Sequence, residues 1–416
     1  MNKNIWIINQ YAGSPYHGMG YRSYYLAREF VKNGYSVKII SGSYSHQFQK
    51  LPNTKGLFTS EIIDGIEYIW VKVPKYKNST SVGRVISMFV FFINLFLFNP
   101  YKYKKPDVII VSSLSLFPIV NGYIWSKLLK ADLIMEVRDL WPLTLIELGK
   151  VSPKHPFVIL LKYFEGFGYK KAKYVVSLLS NAKEYMILRG MRAEKFQYIP
   201  NAIHIDEKEK SIIIENSIKE QIPKDKFIVG YMGSIGLANA MKYLIYAAEQ
   251  LKDFKDIYFI LVGEGSEKQD LMDYCYEKNI KNVKFIKQVQ KLNVHSLIEN
   301  FDICYIGWNK ENMYSYGISA NKIFDYMYSA KPILHSFGSK EADLIEQAGC
   351  GLTVEAENSQ AIKNGILKLY EKDKAELKRI GENGREFVLK YHNYSTLAKQ
   401  YINLFTNHPI KNSLND

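Results

Sequence analysis

Along this chain, short runs of consecutive apolar residues alternate with longer stretches whose apolar residues recur every three to four positions. The first pattern predicts fully buried strands of a parallel sheet, the second amphipathic helices covering that sheet. Residues 4–9 (NIWIIN) predict the first strand. The opening MNKNIWIINQYAG is too short in apolar residues for a signal peptide and lacks a small-residue cleavage site, so it is expected to be a buried strand. In YRSYYLAREFVKNGYSVKIIS, residues Tyr24, Leu26, Ala27 and Phe30 have helical spacing, Asn33-Gly34 stops the helix, and VKIIS predicts the second strand. This is a βαβ unit. Further strands are predicted at 107–113, 131–139 and 173–179, and IPNAI at 199–203 marks a strand end.

After Asn201 the text turns polar and predicts a linker, and then the pattern restarts. Strands are predicted in KFIVGYMGS (226–234), DIYFILVGEG, NVKFIK, DICYIGW (302–308) and PILHS (332–336), with a helix in AMKYLIYAAEQL. The expected fold class is α/β, two Rossmann-like doubly wound domains facing across a cleft at their strand C-terminal ends. The predicted division is 1–204 and 205–391, with a C-terminal helix at about 392–408 packing back on the first domain.

One segment breaks the pattern. Residues 82–98, VGRVISMFVFFINLFLF, are apolar almost all round and are followed by lysines and tyrosines between two prolines or their neighbours (NPYKYKKP). The run is shorter than the roughly 20 residues a spanning helix needs. It is read as a helix lying in a lipid interface, with cationic flanks on anionic headgroups. The alternative is a core or interdomain helix, which the lack of a strongly polar face favours. Charge points the same way as the lipid reading: 55 Lys and Arg against 41 Asp and Glu give a net charge of +14. Such a surface suits anionic lipid or phosphorylated substrates. No arginine-rich tract or RNP-like motif accompanies it, so nucleic acid is not an expected partner. The three cysteines stand far apart and make neither a metal-like spacing nor a disulfide framework, which favours a reducing cytoplasm.

Three stretches carry candidate chemistry. Gly18 and Gly20 flank Met19 between a strand and a helix, where glycines permit close backbone approach and a helix N-terminus offers N–H groups to an anion. A plain tight turn explains them equally well. EVRDLWP (136–142) places charges at the mouth of a buried strand, where they need partners or a ligand; a structural Arg–Asp pair is the blander reading. In YGISANKIFDYMYSAKPILHS (316–336), Asn321 and Lys322 fall in the first turn of a helix, suited to a diphosphate, and Asp325 one turn on could hold ribose hydroxyls. The blander reading is an i,i+3 ion pair between Lys322 and Asp325 on a surface helix.

The order of these motifs (the glycine loop, EVRDLWP, IPNAI, YMGSIG, LVGEG and GISANKIFDYM) resembles glycosyltransferase family 4, retaining enzymes of GT-B fold, over nearly the whole chain. EVRDLWP and GISANKIFDYM look like the subgroup that builds bacterial O-antigen and capsule, of the WbuB-like N-acetyl-L-fucosaminyl transferase type. The resemblance implies that Gly18 and Gly20 approach the donor diphosphate and sugar. Gly233 and Ser234 would line the phosphate side, and Gly263, Glu264, Gly265 and Val289 would lie near the nucleoside. Ser319, Ala320, Asn321 and Lys322 would bind the diphosphate and Asp325 the ribose. Arg138 and Asp139 would face sugar and acceptor, making Asp139, Arg138 and Lys322 the expected catalytic set. The chain also departs from the family. The first glutamate of the Glu-x7-Glu motif falls on Gly317. SIGLANAM lacks the Arg and Lys common after the YMGS strand. Arg138 stands where histidine is common, which suggests a donor altered at C6.

The expected activity is therefore retaining transfer from a nucleotide-sugar donor, UDP-linked and of the UDP-N-acetyl-L-fucosamine kind, to a polyprenyl-diphosphate-linked glycan acceptor. The enzyme would sit at an anionic membrane surface, cytoplasmic and peripheral at the inner face of a bacterial plasma membrane. No Asp-x-Asp pair occurs, so no metal and no cofactor are expected. A sugar-nucleotide epimerase of the same fold and a non-catalytic scaffold of a polysaccharide assembly complex are the alternatives.

Overall fold

The computed structural model describes residues 3–18, 20–78, 81–205, 216–289, 293–338 and 343–406. The polar segment read as a linker falls largely on 206–215, outside the described residues, as does Met19. The chain divides into two compact units, Met1–Pro200 with Tyr394–Asp416, and Asn201–Asn393.

The first unit is built on an eight-stranded sheet. Its strands are β1 (Asn4–Ile8), β2 (Ser36–Gly42), β3 (Phe58–Ile63), β4 (Ile66–Val71), β5 (Val108–Ser112), β6 (Asp132–Val137), β7 (Tyr174–Ser177) and β8 (Phe196–Tyr198), in the order β3-β4-β2-β1-β5-β6-β7-β8. All neighbours are parallel except β3 and β4. The central strands β1 and β5 are buried at every position, which is why they read as unbroken apolar runs. The β3–β4 hairpin was not expected. It turns at Asp64-Gly65, both at positive φ (49° and 78°), as a two-residue hairpin turn requires. Edge strand β3 keeps only Ile63 fully buried, so it lacks the apolar run that marks the other strands.

Helices cover the sheet. Phe30 of the Arg22–Lys32 helix meets Tyr401 and Phe405 of the Tyr394–Thr406 helix at 6.0 and 5.8 Å between ring centres. The Val82–Phe96 helix buries Ser87, Met88, Phe91 and Leu95, so one face is a core face. Its other side leaves Val82, Ile86, Ile93 and Phe96 exposed, with Leu97 just beyond. Among the described residues no helix is long and apolar enough to cross a membrane.

The second unit holds a six-stranded, wholly parallel sheet: β9 (Phe227–Met232), β10 (Ile257–Val262), β11 (Val283–Ile286), β12 (Ile303–Gly307), β13 (Ile333–Ser336) and β14 (Gly351–Val354), in the order β11-β10-β9-β12-β13-β14. Strand β14, partly buried at all four positions, was also missed in the sequence. The sheet has a packed apolar cluster on each face. One lies under the Asn321–Tyr328 and Lys374–Tyr391 helices, the other under the Met241–Gln250 and Ser359–Tyr370 helices. Gly230 of β9 lets the Phe301 ring close onto the sheet, where an added Cβ would lie 2.0 Å from a ring carbon. All three cysteines are buried and free.

Candidate functional site

The expected site residues of the second unit lie at the C-terminal ends of β9 and β10 and in the Asn321–Tyr328 helix and the residues before it, except Val289, which follows β11. Gly233 follows β9 at φ +149°, and a Cβ on it would stand 3.3 Å from the Lys322 ammonium. Gly263 follows β10 at φ +150°, and a Cβ there would collide with the Gly233 carbonyl oxygen at 1.9 Å. Gly265 is as tight against Ile235 O, at 2.1 Å. The two strand-end loops therefore lie backbone on backbone, tied by the Ile235 N–H to Glu264 O at 2.9 Å. That packing alone requires glycine at 263 and 265. The Glu264 carboxylate is exposed and paired with Lys268 at 2.9 Å, the first cause of its lowered pKa. Val289 packs, half-buried, against the apolar cluster on one face of the sheet.

Lys322 is the centre of this arrangement. Ala320 is the N-cap residue, extended, with Asn321 and Lys322 opening the helix. The Lys322 ammonium donates to Tyr231 OH at 3.1 Å and to Asn239 Oδ1 at 2.5 Å. It also lies 4.8 Å from the Tyr231 ring centre and 5.5 Å from that of Trp308. These partners take the place of the i,i+3 pairing with Asp325 that was the blander reading. Asp325 is buried and has His295 Nε2 at 4.0 Å. Although the Lys322 side chain stays partly open to solvent, the protein crowded around it pushes its pKa down to about 7. Ser319 is held by Asn201, whose N–H donates to Ser319 Oγ at 2.7 Å and whose side-chain amide donates to Ser319 O at 2.5 Å. Ser234 keeps its carbonyl on Tyr231 OH (2.6 Å) and the Asn239 amide (2.9 Å). Gly317, where the family's first glutamate would fall, is at φ +103°, a conformation that disfavours glutamate.

In the first unit, Gly18 (φ +114°) bridges to Ser14 and Phe48, and a Cβ on it would lie 2.8 Å from Gln49 N. Gly20 (φ +101°) is 2.2 Å by the same measure from Tyr11 O. The protein's own backbone fills the space a side chain would take, so the turn itself demands both glycines. After β6, Arg138 is half-buried and its N–H donates to Ser113 Oγ at 3.0 Å. Asp139 is exposed at the surface, yet the protein packed around it raises its pKa by desolvation against the opposing pull of Arg138.

The sequence reading missed the group that anchors this strand end. Glu136, on β6, is fully buried and accepts from Arg22 Nε at 2.9 Å, Tyr401 OH at 2.5 Å and Ser112 Oγ at 2.7 Å. Burial would push its carboxyl up, but Arg22 first, then Arg138, Tyr401 and Ser112, hold it below the usual range. Arg22 also donates to the carbonyls of Ile199 (3.0 Å) and Pro200 (2.5 Å). Tyr231, Asn239 and Trp308 were missed as well. Asn239 was within reach, since it lies in the SIGLANAM stretch already noted for lacking a cation. Among the described residues no group of three or more His, Cys, Asp or Glu side chains is placed to hold a metal ion.

Residues 17–202 match the glycosyl transferase 4-like domain, and residues 213–387 match the domain described as glycosyl transferases group 1. The chain is similar to the putative colanic acid biosynthesis glycosyl transferase WcaI of Escherichia coli K12, 21% identical over 276 residues, 64% of this chain and 67% of that protein. Sucrose-phosphate synthase from Thermosynechococcus elongatus superposes with a TM-score of 0.73 at 15% identity, over 98% of this chain and 99% of its own. Anabaena HepE in complex with UDP-glucose gives 0.62 at 15%, over 97% and 99%. WaaG, a glycosyltransferase involved in lipopolysaccharide biosynthesis, gives 0.63 at 13%, over 97% and 99%. The fold is thus GT-B, two parallel-sheet α/β domains. The chain is a glycosyltransferase built from a glycosyl transferase 4-like domain followed by a group 1 domain.

Proposed function

We propose that this glycosyltransferase moves a sugar, with retention of anomeric configuration, from a UDP-linked donor to a lipid-linked glycan acceptor in the synthesis of a bacterial surface polysaccharide. The observation that carries the reading is the Lys322 ammonium at the opening of the Asn321–Tyr328 helix, against Gly233 and hydrogen-bonded to the neutral groups Tyr231 OH and Asn239 Oδ1. A helix N-terminus and a desolvated cation together stabilise a departing diphosphate. In the proposed step the bond from the anomeric carbon to the diphosphate oxygen breaks as the bond to the acceptor oxygen forms on the same face. The acceptor's proton passes to the departing phosphate oxygen, so no protein nucleophile is required. Lys322 takes up the charge that a metal would otherwise neutralise, and turnover is expected to proceed without one. The relatives support the setting: HepE is seen with UDP-glucose, and the names of WcaI and WaaG refer to colanic acid and lipopolysaccharide synthesis. Within this reading Arg138 favours a donor sugar altered at C6, of the N-acetyl-L-fucosamine kind.

Attachment to an anionic membrane surface at the inner face of the plasma membrane belongs to the same proposal. The exposed Ile93 and Phe96 have a neighbour in the Pro156–Lys171 helix, reached through Phe92 and Phe164 with ring centres 5.9 Å apart. That helix exposes Ile159 and Tyr163 and carries Lys162, Lys170 and Lys171. Apolar side chains beside cations suit a headgroup layer.

Thermal unfolding with UDP, GDP, ADP and dTDP, with and without magnesium, tests the donor site. A ligand at 100 times its Kd stabilises the native state by about 2.7 kcal/mol. Stabilisation by UDP without magnesium, lost in Lys322→Ala, is the expected result. Stabilisation by none of the four, or by all equally in Lys322→Ala, removes the reading.

A further inference from the structure

Behind Lys322 lies a buried acid–imidazole pair that the transfer step does not use. His335, on β13, has its Nδ1 3.0 Å from both carboxylate oxygens of Asp343. Its Nε2 is 3.0 Å from the indole nitrogen of Trp308. Both side chains of the pair are almost wholly buried, at 2% and 0% exposure. An Asp–His pair of this kind often serves a nucleophile, but the third member here is an indole, which only donates. The tautomer follows: Nε2 accepts from Trp308, and Nδ1 carries the hydrogen that goes to Asp343. Asp343 is itself fixed by the Thr353 hydroxyl and, at 2.9 Å, by the Ile345 N–H. Burial would raise its carboxyl, but the His335 and Thr353 hydrogen bonds and the Ile345 N–H hold it below its ordinary value. The pair is thus a rigid acceptor aimed at one indole.

Trp308 needs such a restraint. It follows β12 and is half-buried, with Tyr314 5.3 Å away on one side and the Lys322 ammonium 5.5 Å from its ring centre. Among the described residues, Tyr231 and Asn239 give the ammonium its hydrogen bonds, while the Tyr231 and Trp308 rings lie 4.8 and 5.5 Å from it. A lysine has four rotatable side-chain bonds and loses rotamer freedom when it is fixed. An aromatic wall that is itself fixed removes the alternative positions before a ligand arrives.

We infer that Asp343, His335 and Trp308 are positioning residues for Lys322, a fixed chain of hydrogen bonds ending in an aromatic wall that presents the ammonium to the donor diphosphate. The inference rests on the reading of Lys322 as the diphosphate cation. Asn239 completes the cage: it stands in the SIGLANAM stretch that carries neither Arg nor Lys, and it donates to Ser234 O while accepting from Lys322. A second cation here would repel Lys322, whereas an amide holds it.

The two amide side chains separate the two ring nitrogens of His335. Gln places an acceptor where Nε2 was, facing Trp308. Asn keeps a donor where Nδ1 was, facing Asp343, and loses the acceptor for the indole. The test is calorimetric binding of UDP-glucose to the full-length protein and to His335→Gln, His335→Asn, Trp308→Phe and Lys322→Met, each checked by thermal unfolding without ligand. His335→Asn and Trp308→Phe are expected to weaken binding three- to tenfold, His335→Gln less than twofold. In a Lys322→Met background, His335→Asn and Trp308→Phe are expected to change nothing further, because their effect passes through Lys322. A role in stability alone would leave affinity intact in every variant that folds. Wild-type affinity in both His335→Asn and Trp308→Phe overturns the inference, and so does a loss that persists in the Lys322→Met background. Unchanged binding in Lys322→Met overturns the diphosphate reading itself and this inference with it.

Discussion

Replacing Arg22 by methionine is expected to weaken the first unit at neutral pH far more than at pH 5. The Arg22 and Glu136 side chains are 2% and 3% exposed. The substitution takes from a buried carboxylate the cation hydrogen-bonded to it, leaving only the weaker pull of Arg138, and removes donors from the Ile199 and Pro200 carbonyls. Breaking a buried pair from one side costs about 3–5 kcal/mol. Protonation caps the part due to charge. Taking the unfolded carboxyl at about 4.3, neutralising Glu136 at pH 7 costs about 3.7 kcal/mol, and at pH 5 about 1 kcal/mol. In the wild type Glu136 is held below its unfolded value, so its contribution is complete above that value and lost as pH falls through the folded one. In Arg22→Met the folded carboxyl rises above its unfolded value, so the variant recovers relative to wild type as pH falls. The loss should therefore shrink by about 2.5 kcal/mol between pH 7 and pH 5. Four of the five tryptophans (Trp6, Trp70, Trp125 and Trp141) belong to the first unit, so urea unfolding followed by tryptophan fluorescence reports mainly on it. A loss below about 1 kcal/mol at pH 7, or an equal loss at both pH values, would refute the argument. Arg22→Met with Glu136→Gln should regain the charge-dependent part at pH 7.

Other outcomes follow from the same structure. His392 stacks on Phe324 and Phe387 (5.0 and 5.2 Å), and burial lowers its pKa to about 4. Its neutral form therefore stabilises the second unit fully above the unfolded value of about 6.5. That contribution, about 3 kcal/mol, is lost as pH falls from 6.5 towards 4, and His392→Phe should lose that much less over the same interval in acid unfolding. Gly230→Ala should cost about 1–3 kcal/mol by overpacking against Phe301, measured by thermal unfolding, and Phe301→Leu in the same chain should recover part of it. Paired Ile93→Glu and Phe96→Glu substitutions should abolish co-sedimentation with vesicles containing anionic lipid while leaving UDP binding unchanged; equal co-sedimentation of wild type and variant would end the membrane reading. Added EDTA should leave sugar transfer undiminished, and its loss would show a metal requirement.

The sequence by itself determined the strands that are buried on both faces. In β1, β5, β6, β9, β10, β12 and β13 the demand for apolar residues on both faces writes an unbroken run. It also determined the helix opening at Asn321 and Lys322 and the glycines at the strand ends. Strands β3 and β14 carry no such run, because one lies at an edge with a single fully buried residue and the other is only partly buried throughout. The Asp64-Gly65 turn was the signal that could have revealed β3 and β4.

Only the tertiary structure decided who answers each charge. Arg22 and Glu136 are 114 residues apart, and Tyr401 and Glu136 are 265 apart. Lys322 meets Tyr231 and Asn239 across 91 and 83 residues rather than Asp325 one turn away. Periodicity along a chain reports which face of an element is buried, since burial is a property of each element's own pattern. A hydrogen bond depends on which distant side chain arrives at that face, and no local pattern encodes it. The same holds for the glycines: their sequence positions suggested room for a ligand, whereas at Gly20, Gly263 and Gly265 the fold fills that room with its own backbone.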